Sequence, residues 1–249
     1  MRLIITRPEP DASRTAEALS RLGHQPILSP MLDIVLEPDA RIPDQTFQAV
    51  LVTSGNAVRA LAGHAQRARL QAVPLVAVGD HTAVLAKRTG FDARSAGGAL
   101  DDLLGRVAEE FVPGDGPLLY AAGEAQADDL AGRLRETGFE VEVAVVYRAQ
   151  KRARLAAAAA AALRRREADG VLLYSRRSAE AFAAALKADG LVPIAANVTC
   201  FCLSDAVAEP LADVSRGGIL VAARPDQLSL FGLVEGHGRE RHASPGLAR

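Results

Sequence analysis

The sequence has only two cysteines, Cys200 and Cys202, among its 249 residues. They are two positions apart in the apolar run VTCFCL, so a strand would place both side chains on one face. Neither a further thiol nor a nearby histidine completes a zinc site there. We therefore expect reduced, structural cysteines and no metal site.

Strong charge of either sign is also missing, because the formal net charge is −1. Nucleic-acid binding normally needs a basic face to neutralise phosphates, so no nucleic-acid partner is expected, and local donors would have to hold an anionic ligand. No apolar run approaches the ~20 residues of a membrane span. The apolar run in the opening MRLIITRPEP is shorter than the apolar core of a signal peptide. These features predict a cytoplasmic protein without a membrane partner.

Several familiar motifs are absent as well. The chain has no G-x-G-x-x-G, no Walker loop, no H-E-x-x-H and no serine nucleophile elbow. Each of these motifs has a mechanical purpose in cofactor, phosphate or metal binding. Their absence disfavours a dinucleotide, ATP or zinc enzyme.

What the sequence does contain is an alternation of short apolar strands with helix patterns, which predicts the α/β class with parallel sheets covered by helices on both faces. It also contains a repeat. LIITRPEPDASRTAEALSRLGHQPI aligns without a gap on LLYAAGEAQADDLAGRLRETGFEVE, so that Leu3 falls on Leu118. In a second, looser pair, Ser54 falls on Ser175, and the turn at 79–83 falls on 204–208. The two pairs of similar segments follow each other in the same order along the chain, which indicates a duplication.

Breaks near 37–39 and 150–152 divide these repeats into two three-layer α/β domains. The first is expected to be discontinuous, with residues 1–35 and 150–235, and the second to span 36–149. The segments 33–36 and 145–149 would cross between them as a two-stranded linker able to act as a hinge. The tail, residues 236–249, lacks periodicity and is expected to be disordered.

Ligands of parallel sheets bind at the carboxyl ends of the strands, where helix N-termini favour anions. At these turns we expect a ligand to meet small donor-rich residues and adjacent cations, in a cleft that both domains line. The candidates are Thr6, Arg7, Thr53, Ser54, Gly55, Asn56, Gly79, Thr82, Ser175 and Arg176. Each serine is equally explained as an ordinary helix N-cap.

An ordered set of segments resembles the uroporphyrinogen-III synthase family over nearly the whole chain, to about Leu233. The set is ITRPEP, VTSGNAVRAL, VAVGDHTAVLAKRTGFDA, LLYAAGEAQADDLAGRLRETGFEVEVAVVYRA and YSRRSAEAFAAAL. The resemblance implies an enzyme that cyclises hydroxymethylbilane to uroporphyrinogen III, with loss of water and inversion of the last pyrrole ring. It implies no metal or organic cofactor, and we expect a monomer.

The family's tyrosine falls on Tyr147, which is then the candidate acid that helps to expel water. Arg7, Arg148 and Arg176 are candidates to hold the acetate and propionate groups of the substrate. Where related sequences commonly repeat a threonine near the C-terminus, this chain has Val207.

Two other interpretations remain open from the residues. Tyr147 could be a linker aromatic packed on Leu32, its counterpart in the repeat. The whole chain could be a non-catalytic cytoplasmic protein of two domains that binds a ligand or a partner enzyme.

Overall fold

The computed structural model describes residues 1–126, 129–215 and 218–243. The first elements along the chain are β1 (Arg2–Ile5), α1 (Asp11–Arg21), β2 (Gln25–Leu28) and β3 (Leu32–Leu36). There follow β4 (Ala49–Val52), α2 (Gly55–Gly63), α3 (Arg67–Gln71), β5 (Leu75–Ala77), α4 (Asp80–Arg88), β6 (Ala93–Ser95), α5 (Leu100–Glu110), β7 (Leu118–Gly123), α6 (Leu130–Glu136) and β8 (Val141–Lys151). The last are α7 (Ala157–Arg164), β9 (Gly170–Leu173), α8 (Arg176–Ala188), α9 (Val192–Ala195), β10 (Thr199–Cys202), α10 (Asp205–Ala208), a 3₁₀ turn (Glu209–Leu211), β11 (Ile219–Val221) and α11 (Gln227–Ala243).

The chain divides into two compact units: unit 1 contains residues 1–33 and 150–249, and unit 2 contains residues 34–149. Unit 1 carries a five-stranded sheet in the order β11-β10-β9-β1-β2. The strands of unit 2 form a sheet in the order β3-β8-β7-β4-β5-β6. The boundaries between the units fall within β3 and near the end of β8.

Both faces of the unit 1 sheet are covered by helices. Leu3 and Ile5 of β1 join a core with α1 and α11, whereas Ile4 points to the opposite core with α7 and α8. This alternation is what a buried strand requires. Cys200 and Cys202 are free, buried and on the same face of β10, where both pack in one core, as expected of structural cysteines.

The sheet of unit 2 is enclosed in the same way. Val50 and Val52 of β4 pack with α2 and α4, and Ala49 and Leu51 pack with α5 and α6. The strands β7, β4, β5 and β6 pair in parallel, as do β7 and β8. The α/β fold with parallel sheets is therefore confirmed.

The registers of the two sheets reproduce the repeat found in the sequence. Leu3 pairs with Pro26, and its counterpart Leu118 pairs with Val141, the same separation along the chain. On their other side, β1 pairs with β9 as β7 pairs with β4. Corresponding strands thus occupy corresponding places, as expected of a duplicated α/β unit.

The expectation of a disordered tail from residue 236 is wrong for residues 236–243, because α11 continues to Ala243. The helix is held by side-chain contacts that its sequence pattern does not reveal. His237 forms a hydrogen bond of 3.2 Å with Thr199, and its ring meets Phe201 edge-on. Glu235 pairs with His24 at 2.6 Å. Residues 244–249 lie outside the described residues.

None of the helices in the described part of the chain is both long enough and apolar enough to cross a bilayer.

Candidate functional site

A cavity of about 350 Å³ lies at the carboxyl ends of β4, β5 and β7 in unit 2. Its lining residues are Thr53, Ser54, Val78, Gly98, Leu100, Tyr120, Gly123, Ala125, Gln126, Leu130 and Tyr147. This is the edge at which open parallel sheets bind ligands, and the volume is within the range of small-molecule sites. Thr53, Ser54 and Tyr147, three residues named from the sequence, therefore line one cavity.

Two hydroxyl groups meet in this cavity. Thr53 Oγ1 lies 3.3 Å from Tyr120 Oη, and Tyr120 is almost fully buried. Tyr120 was not singled out by the sequence analysis. It stands inside a buried strand where aromatic residues are common, so its only sequence signal is a polar tip in an otherwise apolar run.

Tyr147 follows an irregularity in the pairing of β7 and β8. Ala122 pairs with Val145, but Gly123 pairs with Tyr147, so Val146 is an extra residue in β8. Such a bulge changes the direction of the side chain that follows it. Tyr147 is half-buried, packs against the core formed with α2 and α4, and lines the cavity.

The neighbouring cation Arg148 is held by acidic side chains. Its Nε lies 3.0 Å from Glu37 Oε1 and 3.7 Å from Glu124 Oε1. About half of its side chain is exposed. A substrate carboxylate at Arg148 would therefore compete with two carboxylates that are already present.

The N-termini of α2 and α4 differ in how they are capped. Ser54 caps α2, since its side chain accepts a hydrogen bond of 3.2 Å from the Asn56 amide. The N-cap of α4 is Gly79, which offers no side chain for a cap hydrogen bond. Thr82, in that first turn, is largely buried. A helix N-terminus favours an anion.

The remaining two candidates of this unit have packing and hydrogen-bonding partners. Asn56 Oδ1 accepts a hydrogen bond of 2.6 Å from Arg59, its neighbour one turn along α2. A side-chain carbon at Gly55 would lie 3.1 Å from Leu85, so this glycine permits α2 to pack closely on α4.

In unit 1, the hydroxyl of Thr6 is fully buried and donates a hydrogen bond of 2.7 Å to the Leu172 carbonyl. It joins the ends of β1 and β9. Contact between this hydroxyl and a substrate stays a prediction, and it would require that internal bond to be exchanged.

Arg7 is surrounded by partners within unit 1. Its guanidinium lies 4.3 Å above the centre of the Tyr174 ring, a cation–π contact. It also pairs with Asp11 at 3.4 Å and donates to Gln227 at 3.2 Å. Burial raises the pKa of Tyr174, and the charge of Arg7 partly offsets this. Tyr174 was not selected from the sequence.

Ser175 is the N-cap of α8 and accepts a hydrogen bond of 3.2 Å from the Ser178 amide, as the N-cap interpretation expects. Arg176 pairs with Glu209 at 2.6 Å and with Glu180 at 3.3 Å. Val207 is buried in the core of unit 1.

Among the residues that the structure describes, no three His, Cys, Asp or Glu side chains are grouped so that they could hold a metal ion. The polar side chains that line the cavity of unit 2 are the hydroxyl groups of Thr53, Ser54, Tyr120 and Tyr147 and the amide of Gln126.

Two duplicated parallel α/β units, with a hydroxyl-lined cavity at the carboxyl edge of one sheet, define an α/β protein that binds a small molecule. The chain belongs to the uroporphyrinogen-III synthase family, because the family model described as uroporphyrinogen-III synthase HemD matches residues 13–232. It is accordingly an enzyme of porphyrin biosynthesis, of the class of cyclising lyases, and the substrate of the family is a small-molecule tetrapyrrole.

Solved structures share this fold. Uroporphyrinogen-III synthetase from Helicobacter pylori aligns with a TM-score of 0.65 and 18% identity, covering 95% of this chain and 100% of that one. A mutant uroporphyrinogen III synthase from Thermus thermophilus aligns with a TM-score of 0.57 and 18% identity, covering 98% and 100%. No curated protein matches the sequence significantly.

Proposed function

We propose that this chain cyclises hydroxymethylbilane to uroporphyrinogen III and that Tyr147 is the group that protonates the departing hydroxyl. The observation that carries the assignment of the residue is that Tyr147 lines the cavity of unit 2. Nothing in the fold or the family match favours the non-catalytic alternative.

In the first step, the C–O bond of the terminal hydroxymethyl group breaks and the oxygen leaves as water. Proton transfer from the Tyr147 hydroxyl to that oxygen makes the leaving group neutral, and such assistance typically contributes ~10²–10⁴-fold. An electron-poor azafulvene remains.

The far pyrrole then attacks the azafulvene through a substituted carbon and forms a spiro intermediate. Fragmentation and reclosure invert that ring, and the ring carbon finally loses a proton. Uncatalysed closure at the unsubstituted position gives the type I isomer instead. Holding the far ring close to the azafulvene therefore decides the product, so positioning contributes alongside acid catalysis.

A cavity of about 350 Å³ suits the reacting end of a linear tetrapyrrole rather than the whole molecule. The other groups of the substrate need further contacts. We assign these contacts to Ser54, Gly55, Asn56, Gly79, Thr82 and Arg148 of unit 2 and to Thr6, Arg7, Ser175 and Arg176 of unit 1. The N-terminus of α4, where Gly79 supplies no capping side chain, favours a carboxylate. Arg148, Arg7 and Arg176 each pair with an acidic side chain, so each must give up that partner to bind a substrate carboxylate.

The test is incubation with freshly made hydroxymethylbilane, followed by isomer analysis of the oxidised porphyrin. The unaltered protein is expected to yield the type III isomer, and Tyr147→Phe to form it ~10²–10⁴-fold more slowly while type I accumulates. The matched control is Tyr174→Phe, which removes a tyrosine hydroxyl in unit 1 and is expected to retain type III formation.

If the unaltered protein gives type I alone, the proposed activity is wrong. If Tyr147→Phe retains the type III rate, Tyr147 has no part in the mechanism although the activity stands.

The proposal includes a monomer that works in the cytoplasm. Light scattering of the purified protein during size-exclusion chromatography tests the first part, and a mass of twice one chain would contradict it. Cell fractionation tests the second.

A further inference from the structure

Tyr147 owes its place in the cavity to the strand beside it. Gly123 is the last residue of β7 and pairs with Tyr147 across the bulge at Val146. Without the extra residue, Val146 would stand opposite Gly123 and the tyrosine would lie one position farther along β8.

The space above Gly123 is filled by the Tyr147 ring. A side-chain carbon built on Gly123 would lie 2.6 Å from Tyr147 Cζ, 2.8 Å from Oη and 3.0 Å from Cε2. Carbon atoms that are not bonded to each other do not approach so closely. Any residue larger than glycine at position 123 therefore displaces this ring.

A positive φ does not explain the glycine. Gly123 is the last residue of β7, opposite the bulge in β8, and it is not among the glycines with positive φ. Glycine inside a strand weakens it and often marks a close approach by another group. Here the approaching group is the Tyr147 ring.

The backbone around Tyr147 is tied on both sides. The Glu124 amide donates a hydrogen bond of 3.0 Å to the Tyr147 carbonyl, and the Glu37 amide donates one of 2.9 Å to the Val146 carbonyl. A clash at Gly123 would therefore move the ring rather than β8, and the hydroxyl would move with the ring.

We propose that Gly123 is a positioning residue for Tyr147: the missing side chain and the bulge at Val146 together fix where the Tyr147 hydroxyl lies in the cavity. The consequence for catalysis rests on the function proposed above, but the steric part does not.

The steric part is tested by a thermal unfolding cycle with Gly123→Ala, Tyr147→Ala and the double variant. Gly123→Ala is expected to lower Tm by several degrees when the tyrosine is present, because the added carbon overlaps the ring. In the Tyr147→Ala background the overlap is gone, so the same change is expected to have little effect. Equal shifts in Tm in both backgrounds would overturn the proposal.

The catalytic part is tested by steady-state kinetics at a temperature where the far-ultraviolet circular dichroism of Gly123→Ala matches that of the unaltered protein. A displaced hydroxyl is expected to lower kcat by ~100-fold, with a smaller change in KM. The control is Gly105→Ala in α5, where an added carbon meets no atom within 4 Å. Its kcat is expected to be unchanged.

The outcomes separate the two claims. A coupled loss of Tm with an unchanged kcat for Gly123→Ala would overturn the positioning role if Tyr147→Phe is slow. If Tyr147→Phe is also unchanged, the proposed role of Tyr147 fails, whereas the Tm coupling still supports the steric part.

Discussion

Five strands of unit 2 occupy the same places as the five strands of unit 1, and unit 2 adds β3 at one edge. The carboxyl edge of the unit 2 sheet has an open cavity, whereas the equivalent positions of unit 1 carry larger side chains. Leu118 pairs with Ala49 and Leu3 with Gly170, so Thr53 in unit 2 corresponds to Tyr174 in unit 1.

In the alignment of the repeat, Ala122 of unit 2 corresponds to Arg7 of unit 1. In unit 1 the guanidinium of Arg7 stacks on the ring of Tyr174, and both side chains occupy the strand ends. In unit 2 a threonine and an alanine stand there, and about 350 Å³ stays open beside Tyr120 and Tyr147. After the duplication, the equivalent positions thus carry smaller side chains at the open edge of unit 2 than at the packed edge of unit 1.

The largest expected effect comes from making unit 2 resemble unit 1. Thr53→Tyr places a ring at the position that Tyr174 fills in unit 1, so it should occupy the cavity. We expect kcat/KM for type III formation to fall by at least ~100-fold, because the reacting end of the substrate can no longer take its place.

The control for this change is Val112→Tyr, which adds the same ring at an exposed position of unit 2. A Thr53→Tyr variant with the kcat/KM of the control would mean that this cavity does not bind the substrate.

The reverse change, Tyr174→Thr, tests whether the filled edge stabilises unit 1. It removes a mostly buried ring and its cation–π contact with Arg7, so the free energy of unfolding should fall by roughly 2 kcal/mol in urea titrations. Leu228→Thr is the control, because that leucine is exposed in the same unit and its loss should change stability by less than ~0.5 kcal/mol. Equal losses would show that the stacked pair contributes nothing.

Much of this comparison could be predicted from the sequence. The match of Leu3 with Leu118 in the sequence predicts that β1 and β7 pair with their neighbours in the same register. This follows because a repeat that keeps its spacing keeps its strand pairing. Strand-to-helix turns beginning with Ser54 and Ser175 were recognisable as sites of N-caps and ligands.

The details of the site could not be predicted, because they depend on contacts distant in sequence. A bulge at Val146 leaves no signature in the strand pattern, and Gly123 is recognisable as a close approach only when the ring is seen. The sequence did not show whether the hydroxyl of Thr6 would contact a ligand or bond within the fold. In the structure it donates a hydrogen bond to the Leu172 carbonyl of a neighbouring strand. The end of α11 depends on packing of His237 against Phe201, whereas its own sequence lacks helical periodicity.

The smallest effect uses the cysteines, both of which are in unit 1. Burial raises the pKa of Cys200 to about 11 and that of Cys202 to about 12. Thiolate is the reactive form, so at pH 8 a thiol reagent should react with the native protein at least ~100-fold more slowly than with the unfolded chain. The raised pKa values also mean that folding favours the neutral thiols. Their contribution to the free energy of unfolding is therefore complete below pH 9 and is lost as the pH rises towards 11.

Thiol labelling therefore reports the opening of unit 1 alone. A loss of about 2 kcal/mol in Tyr174→Thr should raise the labelling rate by roughly 30-fold when labelling follows the population of the open form. Thr53→Tyr should leave that rate unchanged, because its added ring enters a cavity of unit 2. If Thr53→Tyr accelerates labelling as much as Tyr174→Thr does, the ring has disturbed more than the cavity. Its loss of activity would then no longer distinguish an open binding edge from a packed one.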